Sequence, residues 1–333
     1  MKKSVQRALF LLLHLIGFLL LWLVLRNLQW SAFFEELGSY PAWKYVAGLA
    51  LLSLVYIIKS YRWHKLNRSF GIKTTWKAAL VFYLSAGFLS VITPGRLGEF
   101  AKIFFLKRKY GIDTAAATSS VILDRVWDVL VLSLFASLSM VLLFADPGKR
   151  LISILIMGTL FLASLLVVLV PAVLFKPLLL VSARFKGIHS KLEGLYLLWK
   201  TNRFNNFGSS LLITLVSYLA LFIIPVIFSA GTSFPIHLKE GVGAVSISNI
   251  LSFIPVSIAG FGTRELVFSE VWKLSHYPKE VAISISTCYF IVTYLGSLLV
   301  GGVVYLFNLK NLYRPAELRK LKEVEEVEEE EKV

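Results

Sequence analysis

Apolar residues run along this chain in long blocks, with no alternating polar face, and short basic or glycine-rich breaks separate them. The pattern predicts eight hydrophobic segments: Ala8–Leu25, Trp43–Ile58, Trp76–Ile92, Thr114–Phe144, Leu151–Phe175, Phe207–Ala230, Val242–Pro255 and Val281–Phe307. About 20 apolar residues in a helix cross a ~30 Å hydrocarbon core, so most of these are long enough to span a membrane. Two behave differently. Trp76–Ile92 and Val242–Pro255 run straight into a turn-forming sequence, and each turn is followed by a second short apolar stretch, Phe100–Leu106 or Leu266–Leu274.

The two turns look like copies of one another. The first reads Ser90-Val91-Ile92-Thr93-Pro94-Gly95-Arg96-Leu97-Gly98-Glu99; the second has Ser252-Phe253-Ile254-Pro255 and then Ala259-Gly260-Phe261-Gly262-Thr263-Arg264-Glu265. Each combines a proline, two glycines, an arginine and a glutamate. Irregular backbone survives at membrane depth only where protein or a water-filled cavity satisfies its polar groups. Paired interruptions in two halves are the sequence pointer to a transporter's binding site.

Loop charge sets the expected topology. Lys2, Lys3 and Arg7 place the N-terminus in the cytoplasm; the segment from Arg26 to Pro41, poor in bases and holding Glu35 and Glu36, lies outside. Lys59, Arg62, Lys65, Arg68, Lys73 and Lys77 form a basic inner loop, and Lys107-Arg108-Lys109 is a second. Both are inside only if the segment between them enters and returns as a hairpin. Asp146–Arg150 and Gly231–Glu240 are outer loops, and Lys176–Arg203 is an inner amphipathic stretch. The second hairpin is then entered from outside, and Lys310, Arg314, Arg319 and Lys320 hold the C-terminus in the cytoplasm.

The expected fold is an all-α polytopic membrane protein with six full spans and two re-entrant broken-helix hairpins in an inverted repeat. Its membrane domain covers residues 1–310, with pseudo-repeats 1–145 and 150–310, and a charged tail follows at 311–333. Glu99 is as far from Ala115 as Glu265 is from Val281, in keeping with a repeat. The competing reading is eight complete spans with ordinary proline kinks.

Composition agrees with a membrane protein: 333 residues, 57% hydrophobic, with a mean hydropathy of +0.73. The net charge of +15 does not point to nucleic acid, because the bases sit in short loops beside apolar runs. From Glu317 onward eight Glu face four Lys or Arg, which leaves 31 basic and 12 acidic residues before the tail. Anionic lipid headgroups account for that charge. Cys288 is the single cysteine, so the chain forms no internal disulfide. The run from Ala8 to Leu25 is longer than a signal-peptide core and is read as a retained span.

Charge at depth costs at least ~2.5–3.5 kcal/mol per residue, so an ionisable side chain there is a functional candidate. Arg96, Glu99, Asp124, Arg125, Asp128, Arg264 and Glu265 qualify. Glycines before a short helix aim backbone N–H groups into each turn, an arrangement suited to anions, and arginine forks match phosphate oxygens. Gly95, Gly98, Gly260 and Gly262 are therefore counted with Arg96, Glu99, Arg264 and Glu265 as substrate-binding candidates. The structural alternative is that Arg and Glu neutralise one another and hold the turns. Asp124-Arg125-Val126-Trp127-Asp128 places two carboxylates on one helix face, with Arg125 in reach of Asp128; this cluster either completes a cavity or clamps helices together.

Structural roles are expected for His14, His64, His189, His237 and His276, which lack metal-ligand spacing. Asn249, Ser252 and Ser257 either line a cavity or bond helix to helix. No metal or cofactor is expected, and Gly260-x-Gly262 follows no strand, so it is not a dinucleotide fingerprint.

Three motifs in order, Thr93-Pro94-Gly95-Arg96-Leu97-Gly98-Glu99, Ile122-Leu123-Asp124-Arg125-Val126-Trp127-Asp128 and Gly260-Phe261-Gly262-Thr263-Arg264-Glu265, give a resemblance to a known family. From Ala8 to Leu309 the chain resembles the transmembrane region of lysylphosphatidylglycerol synthases, the flippase-like domain family. The resemblance implies movement of a lipid across the bilayer; in the fused bacterial enzymes this region flips an aminoacylated phospholipid, and other relatives are linked to lipid-linked sugars. The longest inner segment, Lys176–Arg203, is too short for an aminoacyl-transferase domain, so the membrane module alone carries over. The expectation is a non-enzymatic cell-membrane transporter of a phospholipid or lipid-linked headgroup. Its arginines would hold phosphate, and its carboxylates would tune charge and select a cationic headgroup. The rivals are a membrane-embedded group transferase acting on a polyprenyl phosphate, and a membrane partner, alone or as a homo-oligomer, of a separate synthase or glycosyltransferase.

Overall fold

The computed structural model describes residues 30–184, 186–202, 205–253, 260, 262–308 and 312, and every regular element in them is helical. The expected first span, His14, Ser257 and the charged tail lie outside these residues. In chain order the helices are α1 (Trp30–Ser39), α2 (Ala42–Ser69), α3 (Trp76–Val91), a 3₁₀ turn (Pro94–Phe100), α4 (Ala101–Tyr110), α5 (Thr114–Leu143), α6 (Pro147–Leu169), α7 (Ala172–Ser182), α8 (Lys186–Asn202), α9 (Phe207–Ser229), α10 (Leu238–Leu251), α11 (Thr263–Lys273) and α12 (Lys279–Phe290), which passes through a π-helical turn (Ile291–Leu295) into α13 (Gly296–Phe307).

Short polar side chains start several of these helices by accepting from otherwise unbonded N–H groups. Thr75 accepts from Ala78 N–H at 3.3 Å, Asp113 from Ala115 N–H at 2.9 Å, and Asp146 from Lys149 N–H at 2.7 Å. Five helical stretches are long and apolar enough to cross a membrane: Ala42–Ser69, Thr114–Leu143, Pro147–Leu169, Phe207–Ser229 and Lys279–Phe307. The chain is an all-α polytopic membrane protein. α6 is the peripheral one: Leu151, Ile152, Leu155, Ile156, Leu162 and Leu166 are all exposed, as a lipid-facing surface requires. α5 and α9 are central, with Trp127, Leu132, Phe222 and Phe228 buried.

Both predicted hairpins close on themselves. In the first, α4 folds back against α3. Phe82 packs on Phe105 and Tyr110, at ring separations of 5.5 and 6.3 Å. At the open end of the second, Trp272 Nε1 of α11 donates to the Glu240 carbonyl of α10 at 3.0 Å, and Ser275 Oγ donates to Glu240 Oε1 at 2.8 Å. Each hairpin therefore begins and ends on one side of the bundle, with its glycine turn at the far tip.

The hairpins pack reciprocally. α3 lies against α13, the last span, and α10 lies against α5, while α2 lies against α9. Glycine makes both hairpin contacts possible. A Cβ on Gly301 would stand 2.6 Å from the Leu84 carbonyl oxygen, and one on Gly243 would stand 2.5 Å from Ser139 Oγ. Close backbone approach through small residues is how membrane helices gain packing energy, since lipid supplies no hydrophobic drive between them.

Two boundaries differ from expectation. The second span does not stop at Ile58; α2 continues as helix to Ser69, so Lys59 and Arg62 lie within it and are buried, in place of an inner loop. The helix at Leu151–Phe175 breaks at Val170 and Pro171, and the following basic stretch forms α7 and α8, with Trp199 buried as an anchor.

Candidate functional site

The first turn is built around steric necessity. Gly95 (φ 59°) and Arg96 (φ 56°) are both left-handed, a conformation natural for glycine and uncommon for arginine. Gly98 presses on the end of α3, where a Cβ would lie 2.2 Å from the Leu89 carbonyl carbon and oxygen. Thr93 Oγ1 ties the turn by donating to Leu89 O at 2.9 Å and accepting from Gly98 N–H at 2.7 Å.

The second turn uses its own glutamate. Gly260 and Gly262 have φ of 78° and 80°, and Gly262 N–H donates to Glu265 Oε2 at 2.9 Å. Arg264 pairs with Glu265 through its guanidinium, and its Nε donates to Ser286 Oγ at 3.1 Å. Here the self-neutralising reading of the motif holds. It does not hold in the first hairpin. Glu99 pairs with Arg125 at 2.7 Å and with Lys102 at 3.7 Å, and Arg96 makes no ion pair among the described residues.

Both arginines reach the same ring. The Arg96 guanidinium carbon lies 5.9 Å, and that of Arg264 5.7 Å, from the ring centroid of Tyr294, which stands on the π-helical turn. Arg264 also lies 4.6 Å over Phe290, which stacks on Tyr294 at 5.1 Å. Extra residues in a π-turn re-aim side chains and are frequent at functional sites.

Behind these sits an ionic cluster joining α2, α4 and α5. Asp124 accepts from Arg62 at 2.6 Å, Lys102 at 2.9 Å and Arg125 at 3.1 Å. Asp128 pairs with Arg62, Lys59 and Arg125 at 3.0, 3.0 and 3.1 Å. Arg62 also donates to Thr214 Oγ1 of α9 at 2.6 Å. Arg62, Asp124 and Asp128 are wholly buried. The two aspartates are thus the anionic core of a clamp, and they do not face the cavity. Every carboxylate of the cluster has two or more cationic partners.

A cavity lies between the hairpin tips, lined by Tyr56, Lys59, Tyr83, Arg96, Glu99, Arg125, Tyr218, Asn249, Gly260, Arg264, Tyr289 and Tyr294 among others. It offers about 70 Å³ to the centres of water molecules, so it is roomy enough and polar enough to be wet. Of the residues read from sequence as site candidates, the structure brings Arg96, Glu99, Arg125, Gly260 and Arg264 to its wall. Gly95, Gly98, Gly262 and Glu265 shape the turns behind it. Asn249 also lines it, donating to the Tyr289 hydroxyl at 3.2 Å. Sequence reasoning missed Lys59, Arg62, Lys102 and the five tyrosines. The three basic residues had a signal, since two carboxylates one turn apart in α5 need counter-charges from neighbouring helices.

These observations frame the comparison with known proteins. The model of the lysylphosphatidylglycerol synthase TM region matches residues 10–301. The chain belongs to this family. UPF0104 membrane protein MJ1078 of Methanocaldococcus jannaschii is 23% identical over 235 residues, 68% of this chain and 97% of that protein. UPF0104 membrane protein MJ1595 of the same organism is 28% identical over 137 residues, 40% of each chain. The matched span of the lysylphosphatidylglycerol synthase TM-region family takes in both hairpins, the ionic cluster and Tyr294, so the cavity lies within it.

Proposed function

We propose that this protein is a flippase-like transporter that moves a phospholipid or lipid-linked headgroup across the cell membrane. The observation that carries the reading is the meeting of Arg96 and Arg264, from two separate hairpin tips, over one tyrosine in a cavity. At Arg96 the cation–π contact occupies a guanidinium face, and the N–H edge would fork onto phosphate oxygens. Acyl chains would remain in lipid while the headgroup crosses between the tips.

The reciprocal packing of α3 on α13 and α10 on α5 supports two inverted halves, residues 1–145 and 150–310, and the basic residues near both ends would keep the termini cytoplasmic. In such a design the hairpins open alternately around a fixed site. Arg96, Arg264 and Arg125 would contact the headgroup. Gly95, Gly98, Gly260 and Gly262 would allow the turns, and Glu99, Glu265, Asp124 and Asp128 would hold the cations in place. A group-transferase mechanism would need a carboxylate free to act as a base, and Glu99, Asp124 and Asp128 are each committed to ion pairs.

The test is transbilayer movement of a fluorescent phospholipid in proteoliposomes, followed by quenching from outside. Wild-type protein should accelerate it over empty vesicles, and Arg96→Asn, chosen because asparagine accepts a positive φ, should return it toward the empty-vesicle rate. Equal rates for both proteins would sink the assignment of Arg96 to the headgroup.

A further inference from the structure

The charge around the cavity does not balance. In the ionic cluster Lys59, Arg62, Lys102 and Arg125 face Glu99, Asp124 and Asp128, one cation in excess. Arg264 is cancelled by Glu265. Arg96 adds a second excess cation at the cavity wall. Among the described residues Glu99 is the one carboxylate that lines the cavity, and residues 254–259 and 261 of the second turn carry no charged side chain.

Two surplus positive charges at membrane depth are costly unless a ligand compensates them. The wall also presents neutral donors, the hydroxyls of Tyr83, Tyr218 and Tyr289, suited to a cluster of oxygen acceptors.

We propose that the cavity selects a doubly charged phosphate, a phosphate monoester or diphosphate, over a singly charged phosphodiester and over a cationic aminoacylated headgroup. This rests on the transport reading and narrows its cargo. A phosphodiester leaves one cation uncompensated, and an aminoacyl ammonium adds a further positive charge to a site whose described carboxylates, Glu99 and Glu265, are already paired. A dianion brings the site to neutrality, with Arg96 as the residue that sets the preference.

The test is binding of short-chain lipids to the purified full chain in detergent at about pH 8, where a phosphate monoester is doubly ionised. The probes are phosphatidic acid, phosphatidylglycerol, lysylphosphatidylglycerol and inorganic phosphate. Phosphatidic acid should bind about tenfold or more tightly than phosphatidylglycerol, because one further unit charge beside a partly desolvated guanidinium is worth at least a decade of affinity. Arg96→Asn should bring the two together, while Arg96→Lys, which keeps the charge, should retain most of the difference; melting curves for each variant establish that it is folded. Phosphatidylglycerol or lysylphosphatidylglycerol binding as tightly as phosphatidic acid overturns the dianion preference and leaves the transport reading standing. Inorganic phosphate binding as tightly as phosphatidic acid upholds the dianion chemistry, assigns it to a soluble source and removes support for lipid transport. Absence of binding by every probe overturns both.

Discussion

Arg96 and Arg264 are 168 residues apart in sequence, yet their guanidinium carbons lie 5.9 and 5.7 Å from the centroid of one ring, that of Tyr294. The two motifs are similar in sequence but not in local pairing: Arg264 is tied to the adjacent glutamate, and Arg96 is held by the ring with no ion pair among the described residues. Tyr294 is therefore the element that makes two turns into one site.

Replacing Tyr294 with leucine should lower lipid transport by roughly tenfold, the equivalent of losing ~1–2 kcal/mol of desolvated cation–π contact. Tyr294→Phe keeps the ring and should retain most of the activity. Equal loss in both variants would assign the effect to the hydroxyl instead, which is where a Cβ on Gly260 would come within 3.5 Å.

The ionic clamp predicts a stability effect. Arg62 is fully buried between Asp124, Asp128 and Thr214, so Arg62→Met removes the partner of two buried carboxylates. The expected cost is about 3–5 kcal/mol, seen as a large drop in detergent melting temperature. A melting temperature close to wild type would show that Lys59, Lys102 and Arg125 suffice to hold the aspartates.

Glycine substitutions should rank by backbone clearance. Gly98→Ala puts a Cβ 2.2 Å from the Leu89 carbonyl and should disrupt the first turn, with strong loss of folded yield. Gly208→Ala meets nothing within 4 Å and sits in the helix α9, where alanine is favoured. It should leave yield unchanged or raise it. The reverse order would contradict the packing described.

Hairpin topology can be read by labelling. Cys288 is the single cysteine and is buried, so a Cys288→Ser background accepts reporters. Cysteines at Lys73 and Lys109, the two ends of the first hairpin, should react with an impermeant reagent from the same side. Cysteines at Lys239 and Ser275 should react from the opposite side. Labelling of Lys73 and Lys109 from different sides would show that α3 and α4 together cross the membrane.

Much of this was legible before the structure. Long apolar blocks announce spans, and two proline-glycine-arginine-glutamate turns announce broken hairpins, because both patterns follow from backbone chemistry in lipid. The partners were not legible. Lys59 and Arg62 follow an apolar run, and a rule that ends spans at the first charges puts them in a loop; the structure keeps the helix going because Asp124 and Asp128 await them on α5. Lys102 was hidden in the same way within a short apolar segment. Tyr294 gave no signal, since an aromatic in an apolar span normally reads as packing, and its position depends on a π-turn that no local residue pattern marks. The sharing of charges between Glu99 and Arg125, in place of Glu99 and Arg96, depends on tertiary placement alone.

The most direct test of the account is mass spectrometry of lipids that copurify with the wild-type protein and with an Arg96→Asn/Arg264→Gln variant of equal folded yield. The account predicts a specific phosphate-bearing lipid enriched on the wild type and lost from the variant. The same bulk lipids on both proteins would contradict it, reducing the two arginines to structural supports of the hairpin tips.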